Sequence, residues 1–289
     1  MLLGTFVWAS CSKSNGGGSF ELPAPPTAVI IDNDPLLPGN PTNATNTSQT
    51  NFLKDNGFYK IAYHRNRGIP VWVGWHLQSE DIGTTSRQDD FRADNALPAS
   101  WYHVQDFDYT NGGFDRGHNC PSADRTSSVA ANSSTFLMTN MVPQAPNMNQ
   151  GPWDALEEYT RTTLVGGNKE AYIYTGNFGS GGTGTAGNVS SIGNGNVTVP
   201  AKIWKVILVI SKGNGDLARI HSDATVLVVN MPNDNTLYST SGTGRNAWRN
   251  YITTIKDLET EANAAGVQLN MLTNLHDSIS APLKLKRFQ

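Results

Sequence analysis

The segment TFLMTNMVPQAPNMNQGPWDALEEYTRTTL, residues 135–164, changes its pattern part way along. Residues 135–142 read as a short strand that Pro143 stops, because proline cannot donate to a sheet ladder. From Asn149 onward the pattern is helical. Pro152 suits a first turn, and Trp153, Leu156 and Leu164 fall on one apolar stripe. Three polar residues mark this strand, loop and helix: Asn140, Asn149 and Glu157. Asn149 precedes the helix, and Glu157 comes two turns later, roughly 80° round from it, so both can face one pocket. One amide oxygen and one carboxylate make a poor zinc site, since zinc takes nitrogen and sulfur donors. They suit Mg²⁺, a hard cation that keeps most of its waters.

Upstream lies FDRGHNCPSADR, with a carboxylate, a guanidinium and an imidazole in Asp115-Arg116-Gly117-His118. Alone, this stretch would pass for a polar turn. Asn140 could serve strand backbone, Asn149 could be a helix cap, Glu157 a solvated helix-face carboxylate and Arg87 a surface charge. Cys11 and Cys120 are the only cysteines. Two thiols exclude a disulfide framework, and Cys120 has no neighbouring thiolate to share a metal. It reads as an incidental loop thiol, and His64 and His76 read as structural or surface residues.

The rest of the chain points to α+β. YKIAYHRNRGIPVWVGWHL reads as a hairpin, with residues 59–65 alternating and Val71, Val73, Trp75 and Leu77 on one face. EAYIYTG is a strand closed by Gly176. NFGSGGTGTAGNVSSIGNGN is a loop insertion that can alter access to a cleft. AKIWKVILVIS and ATVLVVNMP are buried strands. TTIKDLETEANAAG is a helix, with Thr254 and Asp257 as a capping pair and Gly266 as its stop. A chain of mostly strands with two helices favours α+β over a doubly wound sheet.

The N-terminal MLLGTFVWASC is a short apolar run that meets small residues and then Cys11. It resembles a bacterial lipoprotein signal, with Cys11 as the acylated residue. It departs from that pattern in having no preceding Lys or Arg and in carrying Trp8. The expected organisation is therefore a signal over 1–11, a linker rich in Pro, Gly, Asn and Thr over 12–50, and a folded domain over 51–289. The expected location is the bacterial cell envelope or, for a secreted form, outside it. Membrane contact would come only through the N-terminal lipid.

DRGH followed by N-x₈-N-x₇-E is more specific than either half. With YHRNRGIPVWVGWHL, YTG and VPAKIWKVILV in order around it, the chain resembles the DNA/RNA non-specific endonucleases of the ββα-metal type. The resemblance implies a central, mainly antiparallel sheet flanked by helices. It also implies metal-dependent hydrolysis of DNA and RNA to 5′-phosphate and 3′-hydroxyl ends. His118 would be the general base, and Asn149 the single protein ligand of a hydrated Mg²⁺, with Mn²⁺ also suitable. Glu157 would hold the cation's water shell, and Asn140 would fix the imidazole or the scissile phosphate. Arg116 and Arg87 would bind that phosphate, the latter matched by context in TTSRQDDFRADNAL. Asp115 is grouped with the substrate-binding residues, where it would shape the loop more than touch substrate. The alternative is a surface lipoprotein that binds nucleic acid without cutting it. The net charge of −3 gives no basic footprint, so a nucleic-acid function must rest on a local site.

Overall fold

The computed structural model describes residues 32–289. The hairpin is present, led by one further strand: β1 (Phe52–Asp55), β2 (Lys60–His64) and β3 (Ile69–Leu77). Two strands come from the motif region, β4 (Asp115–His118) and β5 (Met141–Gln144). After β6 (Lys169–Phe178), four short strands, β7 (Gly182–Gly184), β8 (Gly187–Val189), β9 (Ser191–Ile192) and β10 (Val197–Thr198), form two small ladders. The long β11 (Lys202–Ser211), β12 (Thr225–Pro232) and short β13 (Ile252–Thr253) complete the set. The main sheet has seven strands in the order β1-β2-β3-β6-β11-β12-β13. Every pairing in it is antiparallel.

Both faces of the sheet are covered, which explains why its central strands read as apolar runs rather than as clean alternations. One face packs on α5 (Ile255–Ala264) and α6 (Asp277–Leu285) through residues such as Trp72, Trp204, Leu258 and Leu283. The helix α5 starts where expected. Thr254 Oγ1 accepts from the Asp257 amide at 3.0 Å, and Gly266 follows its end at φ +87°. The other face carries Trp75, Ile173 and Ile207 against Met138, Trp153 and Leu156. That second layer holds the motif residues. Short helices α1 (Val129–Ser134), α2 (Pro146–Met148), α3 (Asp154–Tyr159) and α4 (Asp216–Arg219) fill the connections.

Four expectations need correction. Residues 32–50 are not a linker. Leu37 and Ala44 are buried in the helix-side core, and Trp72 Nε1 donates to Thr42 Oγ1 at 2.7 Å. Asn40 replaces regular structure there, since its side chain both donates to and accepts from the Ala44 backbone. Residues 12–31 and Cys11 lie outside the described residues.

Gly176 does not close its strand. It lies inside β6 between Trp72 and Trp204, where a Cβ would stand 2.3 Å from the Trp204 ring. Pro143 does not stop a strand at 142. It sits inside β5, in a two-stranded ladder where every strand is an edge and a missing N–H is tolerated. Residues 138–140 form a tight turn instead of strand.

Asn149 does not precede the helix. A first turn begins at Pro146, Asn149 ends it, and the chain breaks at Gly151 before α3. Gly151 passes so close to the Ser239 carbonyl that a Cβ would lie 2.6 Å from it. The Gly-rich segment packs its β7–β8 turn on the loop before β4, with the Thr185 amide donating to the Gly113 carbonyl at 3.0 Å.

Candidate active site

The site is built on β4, β5 and the helix that follows. The ladder pairs Asp115 with Gln144, Gly117 with Val142 and His118 with Met141. A Cβ at Gly117 would lie 2.3 Å from Gln144 Oε1, so the third residue of DRGH must be glycine for the strands to close. Alternation along β4 then turns Asp115 and Gly117 to one side and Arg116 and His118 to the other.

His118 is wedged between two phenylalanines, edge to face with Phe136 at 5.0 Å and Phe91 at 5.7 Å between centroids. The same rings carry the two arginines. The Arg116 guanidinium stands 4.1 Å over Phe91, and that of Arg87 stands 4.7 Å over Phe136. Arg87 is further fixed by Ser122 Oγ at 2.9 Å and Asp89 Oδ1 at 2.6 Å. Burial pushes the imidazole down to about 3, helped by the Arg87 and Arg116 charges. Its Nε2 is sealed without a hydrogen-bond partner among the described residues, which leaves Nδ1 as the nitrogen able to meet a water.

Asn149 is oriented by Asp115. Its Nδ2 donates to Asp115 Oδ2 at 2.9 Å, and Gln150 Nε2 donates to the same oxygen at 2.8 Å. With the amide nitrogen turned to Asp115, the amide oxygen is the free end. Glu157 lies below, with Oε1 accepting from Lys205 Nζ at 3.0 Å. Burial pushes its carboxyl up, and Lys205 followed by Arg161 pulls it back down. Beside this pair, Arg161 Nη1 donates to Asp124 Oδ1 at 2.9 Å, and Trp75 Nε1 donates to Asp124 Oδ2 at 2.9 Å.

Arg87, Arg116, His118, Asn149 and Glu157 therefore line one cavity of about 380 Å³, together with Arg161. A second cavity of about 440 Å³ adjoins it, sharing Arg87, Arg116 and Asn149 and bordered by Asp115. Asp115 does not fit a substrate-binding role, because an ionised carboxylate has no donor for a phosphate. Its work is to aim Asn149.

Asn140 also departs from expectation. It is fully buried, and its side chain is spent on backbone: Oδ1 accepts from the Cys120 amide at 3.0 Å, while Nδ2 donates to the Cys120 and Thr135 carbonyls at 2.9 Å each. It ties the chain just after His118 to the turn before β5 and touches neither imidazole nor cleft. Asn140→Ala is accordingly expected to cost about 3 kcal/mol of stability by stranding buried backbone groups. Urea unfolding measures this, and a loss below about 1 kcal/mol would contradict the locking role. Cys120 is buried, and burial pushes its thiol well up.

Two residues escape the sequence reading. Arg161 lies four residues after Glu157, a spacing that places side chains on one helix face. Lys205 is a lone cation inside the apolar run IWKVILVI, which was its only signal.

The donor set in the cleft fits a hydrated cation: one free amide oxygen, one carboxylate and room for several waters. Another group, His76, Glu170 and Asp216, brings its ligand atoms within 4.8 Å of one another on the opposite face of the sheet. Arg219 ion-pairs with both carboxylates there, and the Tyr172 hydroxyl donates to Asp216. Those contacts already fill the place a cation would take.

An antiparallel sheet with a two-stranded ladder and helix carrying His, Asn and Glu into one arginine-lined cleft defines a ββα-metal nuclease fold. The family model of DNA/RNA non-specific endonucleases matches residues 39–278. The chain belongs to that family and is an endonuclease by class. It is 38% identical over 253 residues to a protein named Nuclease from Nostoc sp. (strain PCC 7120 / SAG 25.82 / UTEX 2576), covering 87% of this chain and 85% of that one. To human mitochondrial endonuclease G it is 33% identical over 168 residues, 56% of each chain. Among solved structures, the crystal structure of the EndoG/EndoGI complex aligns with a TM-score of 0.64 at 22% identity, covering 84% of this chain and 91% of that one.

Proposed function

We propose that this chain hydrolyses phosphodiester bonds of both DNA and RNA without regard to the sugar. In this reading His118 is the general base and Asn149 holds a hydrated Mg²⁺, a place Mn²⁺ also fits. The observation that carries the reading is the convergence of His118, Asn149, Glu157 and three arginines on one cavity. Neutral imidazole is the form that can accept a proton, and burial keeps His118 in that form at neutral pH. Its Nδ1 takes the proton of the attacking water. Arg116 and Arg87, braced on Phe91 and Phe136, offer planar donors to the phosphate as its negative charge grows. A divalent cation, when bound, neutralises part of that charge. Asn149 would hold that cation through its amide oxygen, and Glu157 would accept hydrogen bonds from the cation's waters. Contacts directed at phosphate carry no base information, in keeping with action on either nucleic acid. As the attacking water's oxygen bonds to phosphorus the P–O3′ bond breaks, and a second water in the cleft gives a proton to the departing O3′, leaving 5′-phosphate and 3′-hydroxyl ends.

Attachment to the bacterial cell envelope through Cys11 is part of the same proposal. It rests on the sequence MLLGTFVWASC alone. No helix among the described residues is long and apolar enough to cross a membrane.

The test is incubation of the protein with supercoiled plasmid and with a structured RNA, each with Mg²⁺ and with EDTA. Metal-dependent nicking and smearing of both is the expected result. Cutting of one substrate alone would retract the claim of sugar indifference. No cutting with Mg²⁺ or Mn²⁺ would favour a protein that binds nucleic acid without cleaving it.

A further inference from the structure

We propose that Lys205 is a positioning residue for the reaction: from the centre of the sheet it holds the Glu157 carboxylate in place, with one oxygen tied back and the other presented to the cleft. This rests on the reading of the cleft as a metal-dependent nuclease site.

Lys205 lies in mid-β11, paired with Thr175 on one side and Val229 on the other. It is 1% exposed. Its ammonium sits 4.4 Å from the Trp153 ring centroid and 5.6 Å from that of Trp75. Glu157 is its one ionic partner among the described residues. Stability alone gives little reason for such a residue. Burying an ammonium is costly, and apolar side chains of similar volume commonly replace buried ion pairs at no loss. The neighbours here are two tryptophans, which a methionine would suit.

The geometry of the pair explains the choice of lysine. Lys205 binds Glu157 Oε1. Glu157 Oε2 has no hydrogen-bond partner among the described residues, and the residue lines the cavity. Arg161, the other cation beside Glu157, is drawn off to Asp124, which Trp75 Nε1 holds from its other oxygen. Trp75 thus serves two parallel pairs, its ring lying near Lys205 and its N–H bonded to Asp124. Without Lys205, Oε1 would lose its one hydrogen-bond partner among the described residues, and the carboxylate would be free to rotate. A carboxylate not fixed in direction would make a poor acceptor for waters of the cation.

The experiment is a double-mutant cycle on the full chain with Lys205→Met, Glu157→Gln and both together, plus Lys205→Arg. Each is checked for folding by circular dichroism. Two quantities are read: kcat on plasmid, and Mg²⁺ affinity by calorimetry without substrate. Lys205→Met is expected to weaken Mg²⁺ binding and lower kcat by about tenfold to a hundredfold each, as loss of a residue supporting a metal site does. In the Glu157→Gln background it is expected to cost nothing further, and Lys205→Arg should recover part of the loss.

Additive losses would overturn the proposal, because Lys205 would then act independently of Glu157. So would unchanged or tighter Mg²⁺ binding in Lys205→Met, the result for a lysine that merely adds positive charge near the cleft. Should Lys205→Met fail to fold, comparing the double variant with Glu157→Gln still decides the matter: equal Mg²⁺ affinity supports the proposal, and a further loss defeats it. If the wild type cuts neither nucleic acid, the nuclease reading fails on that ground, while the metal titration still judges the role of Lys205.

Discussion

His118→Ala is expected to lower kcat by about 10²- to 10⁴-fold, the range over which a positioned base contributes, with the fold retained. The side chain is wedged between Phe91 and Phe136, so alanine leaves a slot shaped for an imidazole ring. Added imidazole should therefore restore part of the activity. Burial and the two arginines hold the group down to about 3, so the fraction of neutral base should stay constant through the neutral range. The sign for stability follows. Above the ordinary value of 6.5 the imidazole is neutral in both folded and unfolded chains and adds no penalty. Below it the unfolded chain takes up a proton that the folded chain refuses, so stability falls as the pH drops from 6.5 toward 3. A loss of less than tenfold in the alanine variant would remove it from the role of base, whereas a pH–rate limb near 6.5 assignable to His118 would keep that role and overturn the burial-depressed imidazole.

Asn149→Ala is expected to raise the Mg²⁺ concentration for half-maximal activity by about a hundredfold, because it removes the one side-chain oxygen aimed at the cation. Asn149→Asp is the more telling change. It adds a charge attractive to Mg²⁺ but sets a carboxylate against Asp115, where the amide nitrogen now donates at 2.9 Å. Two like charges at that distance repel, so this variant should also lose activity. Asp115→Asn, which abolishes the charged acceptor, should shift the Mg²⁺ dependence in the same direction by a smaller factor. Titration of cleavage rate against Mg²⁺ reads all three. Normal Mg²⁺ dependence in Asn149→Ala would place the cation elsewhere.

Much of this site was legible because its chemistry is local. DRGH and N-x₈-N-x₇-E carry the imidazole, amide and carboxylate of the proposed site on consecutive elements, and all three line one cavity. What failed was long-range. Asn140 has the right type and spacing for a catalytic amide, yet its partners are the backbones of Thr135 and Cys120, which a linear reading cannot bring together. Lys205 is separated from Glu157 by the five strands β6 to β10, which include the glycine-rich insertion, so nothing in the linear sequence links them. Residues 32–50 have linker composition, yet asparagine side chains supply the hydrogen bonds that a strand or helix would otherwise make. The glycine of β6 was read as punctuation, and that of β4 only as part of DRGH. In the structure Gly176 makes room for a tryptophan, and Gly117 for a glutamine.

The back-tied amide of Asn149 has one more consequence. A single neutral oxygen, held in place by Asp115, gives a divalent ion little reason to stay. On the proposed metal-dependent reading, the ion would be a diffusible co-substrate that enters and leaves with the surrounding solution. Activity would then follow the free divalent cation of whatever compartment the protein occupies, and a medium rich in chelating anions would silence it with no change to the protein itself.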